Sequence, residues 1–353
     1  MIIRRVETVA VEIPYEAPVG PYAGRGRSTS GARALITRVE TSDGSIGWGE
    51  GHGEFTADPQ DVLEGRQAAD IGPAVEVMRA AGISAGALSG VEMALWDLLG
   101  KKAGVGVCRL LGGVVRSEID FCGCMGIKAP EESSQTAQEY IDRWGFRFIK
   151  TKAGEDPEQD IAIAEALMSA VGTRAAVRPD ANAGYDVATA EWVLSKLDEM
   201  GVPFYEDPCA PDEVEALARF RKGTGIRILV NMGVSSPASV VQLLVNGAAD
   251  YLMPDTVSAG GILGVVQVAA AASAFDVHCL MHCSHDLGLK TAAVLHVAAA
   301  TPTFSGPNDT CYHGLTDDIL TRPFQISEGR ISLPDGPGLG VEVDSAKLDR
   351  YAI

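Results

Sequence analysis

Phe148-Ile-Lys-Thr-Lys152 is the first of six short apolar runs that each end in a polar or ionisable residue, and this series decides the fold. The last residues of the runs are Lys152, Asp180, Glu206, Asn231, Asp255 and His282. They lie 24 to 28 residues apart, and one strand, one helix and two turns take about 30 residues. Because parallel strand ends converge on one mouth only in a closed barrel, polar residues at every end predict a parallel β/α barrel rather than an open sheet.

The segments on either side of this repeat follow other patterns. Residues 1–56 alternate apolar and polar positions, which predicts a small antiparallel sheet, and the Gly/Pro/Ser-rich stretch 18–31 predicts one long loop in it. Residues 57–111 show helical spacing, and a helix through 89–99 is predicted to end near Gly100. A sheet followed by helices, before any β/α alternation, indicates a separate α+β unit.

These patterns divide the chain into three predicted parts. They are an α+β capping domain at 1–118, a barrel at 119–322, and a glycine-rich C-terminal segment at 323–353 that returns to the capping domain. Helix-start signals within the barrel, an Asp or a Pro near the first turn, lie at Asp156-Pro157, Asp186 and Pro211-Asp212.

The charge balance and the cysteine pattern narrow the function classes. The chain of 353 residues has 29 Lys and Arg against 47 Asp and Glu, a net charge of −18, which argues against binding to nucleic acid or to anionic membranes. No apolar run reaches the roughly 18 residues of a membrane helix, and the seven cysteines form no dense disulfide pattern. A reducing, cytoplasmic location and a small-molecule partner are therefore predicted.

Two lysines, Lys150 and Lys152, close the first run. Residues two apart on a strand point to the same side, so both ammonium groups are predicted to meet at the barrel mouth. Like charge and partial burial lower a lysine pKa, which makes one of the pair a base near neutral pH. The alternative is a solvated pair on an edge strand.

Oxygen donors end the next three runs. Asp180, Glu206 and Asn231 follow neighbouring strands, and such oxygen ligands suit Mg²⁺ with its octahedral coordination. Each of them alone is also typical of a cap on the next helix. Three in succession favour the metal site.

The last two runs end in Asp255 and His282. An aspartate beside a histidine sets the tautomer of the imidazole and raises its basicity, which predicts a second acid–base group across the mouth from the lysines. The soft ligands of residues 278–285 do not predict zinc, because strand alternation sends His278 and Cys279 to opposite faces and no Cys-x-x-Cys motif occurs elsewhere.

Together these motifs resemble the enolase superfamily, in its mandelate racemase and muconate lactonizing branch, and the resemblance runs nearly end to end. The N-terminal motifs that carry it are Gly47-Trp-Gly-Glu50, Val91–Lys101 and Leu110-Leu-Gly-Gly113. The later motifs are Lys150-Thr-Lys152, Asp180-Ala-Asn182, Tyr205-Glu-Asp-Pro208, Met253-Pro-Asp255, Gly260-Gly261, His282 and Asp335–Asp344.

The resemblance implies a modified (β/α)₇β TIM barrel with an N-terminal α+β capping domain. It implies removal of the proton α to a carboxylate, with Mg²⁺, one ion per subunit, stabilising an enediolate intermediate. By analogy with the family, the metal ligands are Asp180, Glu206 and Asn231.

The same analogy assigns the acid–base groups. Lys152 is implied as one base, with Lys150 tuning it and contacting the substrate carboxylate. Asp255 with His282 is implied as the base on the opposite face. Members of the family are commonly homo-oligomers, so the resemblance also implies a homo-oligomer here.

Asn231 departs from the common pattern of the branch, in which the third ligand is a carboxylate. Asn still offers an oxygen donor, with one negative charge less around the metal. Asn231-Met232, together with His282-Cys-Ser-His-Asp286 and Leu295–Pro302, resembles the glucarate dehydratase branch. The resemblance therefore favours dehydration of an acid sugar or a related hydroxy acid.

The substrate contacts are predicted in the capping loop and at the barrel mouth. The loop at 18–30 contains Tyr22, Arg25 and Arg27 and, by resemblance, closes over the substrate. Its two arginines indicate a second anionic or polyhydroxylated end on the ligand, or else a solvated loop tip. The further predicted contacts are Asn182, Asn308 and Asp309.

Three functions are open at this point. The first is dehydration of an α,β-dihydroxy acid, because a protonated His282 can expel a β-hydroxyl as water. The second is a racemase or epimerase of a hydroxy or amino acid derivative, because bases on both faces can remove and return one proton. The third is a barrel that has lost catalysis and serves as a binding or scaffold protein, against which the filled base and ligand positions argue.

Overall fold

An antiparallel sheet followed by helices forms the first part of the chain, in a computed structural model that describes residues 1–24 and 26–353. The strands are β1 (Ile3–Pro14), β2 (Tyr22–Gly24), β3 (Arg27–Thr29), β4 (Gly31–Thr41) and β5 (Ile46–Gly51). The helices are α1 (Pro59–Leu63), α2 (Ile71–Ala80), α3 (Ala85–Ala103) and α4 (Val107–Leu110). β4 lies between β1 and β5, and β2 pairs with β3 as a hairpin. The predicted small antiparallel sheet is confirmed, and the long loop carries this hairpin.

Glycines let α3 lie directly on β5. Gly47, Gly49 and Gly51 alternate along the strand and all face this helix, and a side chain at Gly49 would collide with the backbone of Gly90. The backbones therefore approach more closely than any larger residue permits. This contact anchors the long helix to the sheet.

Helix α3 ends later than the sequence predicts. It continues to Ala103, and Gly104, with a φ of 70°, forms the left-handed C-terminal turn. Gly100 is needed for a different reason, because a side chain there would meet the backbone of Gly338 in the C-terminal segment. The glycine permits a close approach and does not stop the helix.

Parallel strands form the barrel. Their bounds are β6 (Glu118–Met125), β7 (Phe148–Lys152), β8 (Ala176–Asp180), β9 (Phe204–Glu206), β10 (Arg227–Val230), β11 (Tyr251–Leu252), β12 (His278–Cys279) and β13 (Asn308–Thr310). Neighbours along the chain are neighbours in the sheet from β6 to β12, and β13 pairs with β6. The barrel closes between β12 and β13, where the Asp309 N–H donates to the Met281 carbonyl at 2.9 Å.

A helix lies on each connection from β6 to β13. The helices are α5 (Pro130–Trp144), α6 (Pro157–Val171), α7 (Val187–Glu199), α8 (Val214–Gly223), α9 (Pro237–Val245), α10 (Thr256–Ala259), α11 (Ile262–Ser273) and α12 (Gly288–Ala300). The short α10 precedes α11 on the same connection. The arrangement confirms the modified (β/α)₇β barrel with an N-terminal α+β part.

Two of the helix-start signals mark true N-caps. Asp156 accepts hydrogen bonds from backbone N–H groups of the first turn of α6, and Asp186 accepts one from Thr189 N–H at 2.7 Å in α7. The third signal, at Pro211-Asp212, is early, because α8 begins at Val214. The preceding Cys209 still pairs with a residue of the neighbouring connection as a parallel bridge, which keeps the chain extended there.

The C-terminal segment contacts both parts of the molecule. β14 (Arg330–Ser332) pairs antiparallel with β6, and α13 (Ser345–Tyr351) follows. The Leu339 N–H donates to Asp97 Oδ1 of α3 at 2.8 Å, and the Ile353 N–H donates to the Ala10 carbonyl of β1 at 3.0 Å. The boundaries at 118 and 322 stay a prediction.

Buried glutamates join the N-terminal part to the barrel. Glu50 of β5 accepts the N–H groups of Leu287 and Lys290 at 2.7 and 2.8 Å, at the start of α12. Glu92 of α3 accepts two N–H groups at the start of α11, at 2.8 and 2.9 Å. Burial raises the pKa of Glu50 to about 8 and that of Glu92 to about 7. Both side chains satisfy helix N-termini that carry partial positive charge.

None of the described helices is long and apolar enough to cross a membrane. The cysteines are free thiols throughout.

Candidate active site

Lys150 and Lys152 lie side by side at the end of β7, as their spacing predicts. Lys150 Nζ is within 2.9 Å of Asp180 Oδ2 and Asp309 Oδ2 and within 2.7 Å of Glu206 Oε1. Lys152 Nζ donates to Asp180 Oδ2 at 2.6 Å and to Asn182 Oδ1 at 2.8 Å. The pair is therefore held in a carboxylate network inside the barrel and is not a solvated edge pair.

The charge state of Lys150 differs from the sequence-based expectation. Burial lowers the pKa of this buried ammonium, but Asp180, Asp309 and Glu206 outweigh burial and raise the pKa well above its ordinary value. Lys150 is therefore a fixed cation in this network. The lowered pKa that the sequence analysis expects for one lysine of the pair is therefore not found at Lys150, because three carboxylates lie within 2.9 Å of its Nζ.

Asp180 and Glu206 lie beneath the lysines and are fully buried. Glu206 Oε2 has no hydrogen-bond donor among the described residues, although Arg178 Nε lies 3.2 Å away. Burial, with Asp180 next, raises the pKa of Glu206 well above its ordinary value. A buried carboxylate oxygen that lacks a donor needs another positive partner.

Asn231 lies one residue beyond β10 on the wall of the same cavity. Its Nδ2 donates to the Met253 carbonyl at 2.9 Å, so the amide oxygen is the atom left for a ligand. Asp207, which the sequence analysis did not single out, accepts the Asn231 N–H at 2.9 Å and so fixes this turn. Burial and the nearby Asp180 raise the pKa of Asp207 to about 7.

The donor set fits a hard divalent cation. Ligand atoms of Asp180, Glu206 and Asp207 lie within 4.8 Å of one another, and the same is true of Glu206, His282 and Asp309. Carboxylate oxygens dominate both groups, as Mg²⁺ prefers, and Glu206 Oε2, which accepts no hydrogen bond from the described residues, supports the fit.

Asp309 and Asn308, neighbours on β13, have different surroundings. Asp309 lies on the cavity wall and is paired with Lys150 and, by a short contact, with Arg178. Asn308 Oδ1 accepts the Met281 N–H at 2.7 Å, and its Nδ2 donates to the Asp120 carbonyl. The prediction that Asn308 contacts the substrate is therefore not supported, because its amide links β12 to β6 and it is buried.

Arg178 is a site residue that sequence reasoning missed. It lies two positions before Asp180 on β8 and so points to the same side of the strand, into the barrel. It neutralises Asp309 and faces Glu206 from below. Because side chains two residues apart on a strand point to the same side, the position of Asp180 was enough to predict that Arg178 faces the barrel interior.

His282 and Asp255 form the predicted dyad on the opposite side. His282 Nδ1 and Asp255 Oδ2 are 3.1 Å apart, and the Ser284 hydroxyl donates to the same oxygen at 2.6 Å. Lys290 Nζ, fully buried, lies 2.7 Å from Asp255 Oδ1 and 2.7 Å from Asp286 Oδ1. Burial raises the pKa of Asp255, but Lys290 and His282 together lower it well below the ordinary range.

The remaining predicted substrate contacts come from the loop and from the turn after β8. Tyr22 and Asn182 line the cavity, and Arg27 lines an adjoining one nearer the surface. Arg25 lies outside the described residues. The inner cavity has a volume of about 300 Å³ and the outer one about 620 Å³.

Comparisons with known proteins agree with this geometry. Residues 5–112 match the family described as the N-terminal domain of mandelate racemase and muconate lactonizing enzyme, and residues 132–347 match the enolase C-terminal domain-like family. A probable glucarate dehydratase of Streptomyces coelicolor is 30% identical over 89% of this chain and 83% of its own. The D-galactarolactone cycloisomerase of Agrobacterium fabrum is 29% identical over 90% of each chain.

The fold comparison gives the same picture. The crystal structure of an enolase-type putative sugar isomerase from Streptomyces coelicolor superposes with a TM-score of 0.88. The two proteins are 28% identical, and the match covers 99% of this chain and 96% of the other.

Proposed function

Because this chain belongs to the mandelate racemase and muconate lactonizing branch of the enolase superfamily, we propose that it dehydrates an acid sugar or a related hydroxy acid. The observation that carries the proposal is the Asp255–His282 dyad, which faces Lys152 across one cavity and can protonate a leaving β-hydroxyl group. Asn231 supports it, because this residue resembles the glucarate dehydratase pattern.

Members of this superfamily use Mg²⁺, and the residues that would hold it here are Asp180, Glu206 and Asn231, with Asp207 beside them. When bound, the ion stabilises negative charge that develops on the substrate carboxylate as the α-proton leaves. Lys150 adds a second fixed positive charge from the floor of the cavity.

The acid–base steps belong to the chain itself. Lys152 or His282 removes the α-proton, depending on the configuration at Cα. His282 in its protonated form then gives a proton to the β-hydroxyl group, which leaves as water. The resulting enol takes up a proton at Cβ, loses its hydroxyl proton to solvent and becomes a 2-keto-3-deoxy acid. Asp255, kept ionised by Lys290, stabilises the imidazolium that this step requires.

A racemase or epimerase is the second candidate, and bases on both sides of one cavity favour it. In that reaction one base removes the proton and the other returns it to the opposite face, and no β-hydroxyl is lost. The relatives named above include an isomerase as well as a dehydratase.

Proton NMR in deuterium oxide separates the two. The Mg²⁺-loaded enzyme is incubated with acid sugars, hydroxy acids and N-acyl amino acids, one at a time. Formation of a 2-keto-3-deoxy acid supports dehydration. Entry of deuterium at Cα with retention of every hydroxyl group would overturn it in favour of racemisation.

The setting of the enzyme belongs to the same proposal. We expect a cytoplasmic location from the cysteine pattern and a homo-oligomer from the family resemblance. The net charge of −18 argues against binding to nucleic acid or membranes, which leaves a small carboxylate as the expected partner. Size-exclusion chromatography with light scattering tests the oligomer.

A further inference from the structure

His285 lies at the passage between the two cavities of the site. The described residues that line both the inner and the outer cavity are Tyr22, Lys152, Asn182, Ser284 and His285. A substrate whose reacting carbons lie between Lys152 and His282 must extend past this passage if it is longer than the inner cavity. The group at the passage therefore contacts the part of the substrate beyond the reacting carbons.

The backbone holds His285 in an unusual conformation. Its φ of 64° is left-handed, which a non-glycine residue adopts only when the surroundings impose it. Just before His285, the Ser284 N–H donates to Asp286 Oδ1 at 2.9 Å. Just after it, the Leu287 N–H donates to Glu50. These bonds fix the turn on both sides of the histidine and aim its ring at the passage.

Two tyrosines from the N-terminal part hold the ring itself. The Tyr15 hydroxyl and His285 Nδ1 are 2.8 Å apart. The Tyr22 ring packs edge-on against the imidazole, with the centroids 4.8 Å apart at an interplanar angle of 89°. The histidine is therefore clamped between the loop and the barrel.

The tautomer of the ring follows from the hydrogen bond. Burial raises the pKa of Tyr15 well above its ordinary value, so the phenol keeps its proton. Burial and Lys152 lower the pKa of His285 to about 3, so the imidazole is neutral. The phenol finds no other acceptor among the described residues, and it therefore donates to Nδ1, which places the imidazole proton on Nε2.

The ring nitrogen Nε2 has no protein partner in the described part of the chain. Its N–H is thus a donor without an acceptor, at the wall of both cavities. The outer cavity beyond it carries Arg27 and Arg33, and its described lining residues include no carboxylate. The two arginines attract oxygen acceptors and repel an ammonium group, which would find no carboxylate partner among these lining residues.

We propose that His285 is a specificity-determining residue that donates a hydrogen bond from Nε2 to a hydroxyl or carboxylate oxygen beyond the reacting carbons of the substrate. Tyr15 is the positioning residue that keeps the donor in place. The ligand class is a hydroxylated chain of oxygen acceptors, and chains with a free ammonium group at that point are rejected. This inference rests on the proposed function, because it deepens the substrate class of the same site.

Nitrogen NMR tests the tautomer without any substrate. In protein with ¹⁵N-labelled histidine, the His285 signal is assigned by its loss in His285→Gly, which suits the left-handed backbone. We expect an unprotonated Nδ1 and a protonated Nε2 at neutral pH. In Tyr15→Phe, which keeps the ring packing, we expect a mixture of both tautomers. A proton on Nδ1 in the unmodified protein would overturn the proposal.

Binding tests the specificity. D-glucarate and adipate are titrated into the Mg²⁺-loaded protein as six-carbon dicarboxylates with and without hydroxyl groups, and 6-aminohexanoate as an acid of the same length with an ammonium group at its far end. We expect His285→Gly to weaken glucarate binding about tenfold, and Tyr15→Phe to weaken it less. We also expect the His285→Gly variant to prefer glucarate over 6-aminohexanoate less strongly.

The kinetic constants separate this inference from the proposed function. For any acid sugar that the protein dehydrates, His285→Gly should raise KM about tenfold and change kcat little. Equal affinities and KM values in the variant and the unmodified protein would refute the role of His285 and leave dehydration intact. Absence of dehydration, with the Nε2–H tautomer present and affinity lost in His285→Gly, would refute the reaction and support the binding role.

Discussion

The lysine side of the cavity (Lys152 with Asp180) and the histidine side (His282 with Asp255) hold their bases in different ways. Lys152 contacts its carboxylate directly, and that carboxylate is also a candidate metal ligand. His282 is held by Asp255, and Lys290 holds Asp255 from behind. The lysine side is therefore tied to the metal site, whereas the histidine side is supported from the far wall.

The support of the histidine side extends into the N-terminal part of the chain. Glu50 binds the N–H of Lys290, and Glu92 binds the start of α11, which follows Asp255 after the short α10. The comparison teaches that the hydrogen bonds of Lys152 to described residues come from the barrel, while the support of His282 reaches into a second part of the molecule. The four predictions below test this difference.

Removing each base should give the largest effect. Lys152→Ala and His282→Asn should each slow exchange of the α-proton by about 10²- to 10⁴-fold, because a positioned acid–base group contributes that much. Each variant should lose exchange from one configuration at Cα and retain more of it from the other. Deuterium incorporation into both epimers of one acid sugar measures this. Equal loss for both epimers in both variants would mean that the two sides do not act on opposite faces.

Removing Lys290 should destabilise the protein, because this lysine pairs with the buried Asp255 that holds His282. Lys290→Met leaves Asp255 and Asp286 buried without their cation, and we expect about 3–5 kcal/mol less stability in urea denaturation. The double variant with Asp286→Asn is the matched control, because one of the two unpaired carboxylates is then gone. It should recover part of the lost stability. Full stability in Lys290→Met alone would contradict the far-wall support.

The metal should affect the lysine side selectively. Glu206→Gln removes a candidate ligand charge, and we expect Mg²⁺ affinity to fall by at least about 10- to 100-fold, the loss typical of changes around a metal site. Calorimetric titration with Mg²⁺ measures it. Ser284→Ala on the histidine side is the control and should leave the affinity within about twofold, since the Ser284 hydroxyl binds Asp255 and not a candidate ligand. Equal losses in both variants would show that the two sides are not separate.

The glutamates that support the histidine side should give a pH effect. An unfolded glutamate titrates near its ordinary value of 4.5, but burial holds the pKa of folded Glu50 at about 8. Between these values the unfolded chain releases a proton that the folded chain keeps, so stability falls as the pH rises from about 4.5 to about 8.

Substitution isolates this contribution. Glu50→Gln should flatten the pH dependence of unfolding across that window, although it also weakens one of the two backbone contacts. Glu92→Gln should do the same over a narrower window, up to about 7, because its pKa is lower. Thermal denaturation at a series of pH values measures both. A wild-type profile that rises across the window would contradict the raised pKa values.

The sequence predicts the lysine side more completely than the histidine side. Lys152, Asp180 and Glu206 end strands of regular spacing, so their convergence follows from the βα period alone. Lys290 reaches Asp255 from a helix, through a contact that no local pattern reveals. The carboxylate environment that fixes the charge of Lys150 also depends on residues 30 to 159 positions away in the chain.

The remaining differences come from packing. Asn308 is a predicted substrate contact at the start of β13, but the Met281 N–H and the Asp120 carbonyl bind its amide. Gly100 carries a helix-stop signature, yet a distant segment uses it for close contact. In both cases a residue distant in the sequence determines the role of the side chain or glycine. The local sequence pattern contains no information about that distant residue.

The contact of Gly100 with Gly338 has a consequence for how the protein is made. Gly338 also exchanges backbone hydrogen bonds with residues 105 and 107, and its neighbour Leu339 satisfies Asp97. The N-terminal part of the chain is synthesised first. Some 240 further residues must therefore be added before Gly338 and Leu339 can contact Gly100 and Asp97. During that interval a nascent chain exposes a buried surface of α3 without its cover, so we expect this enzyme to depend on chaperones during synthesis and to tolerate C-terminal truncation poorly.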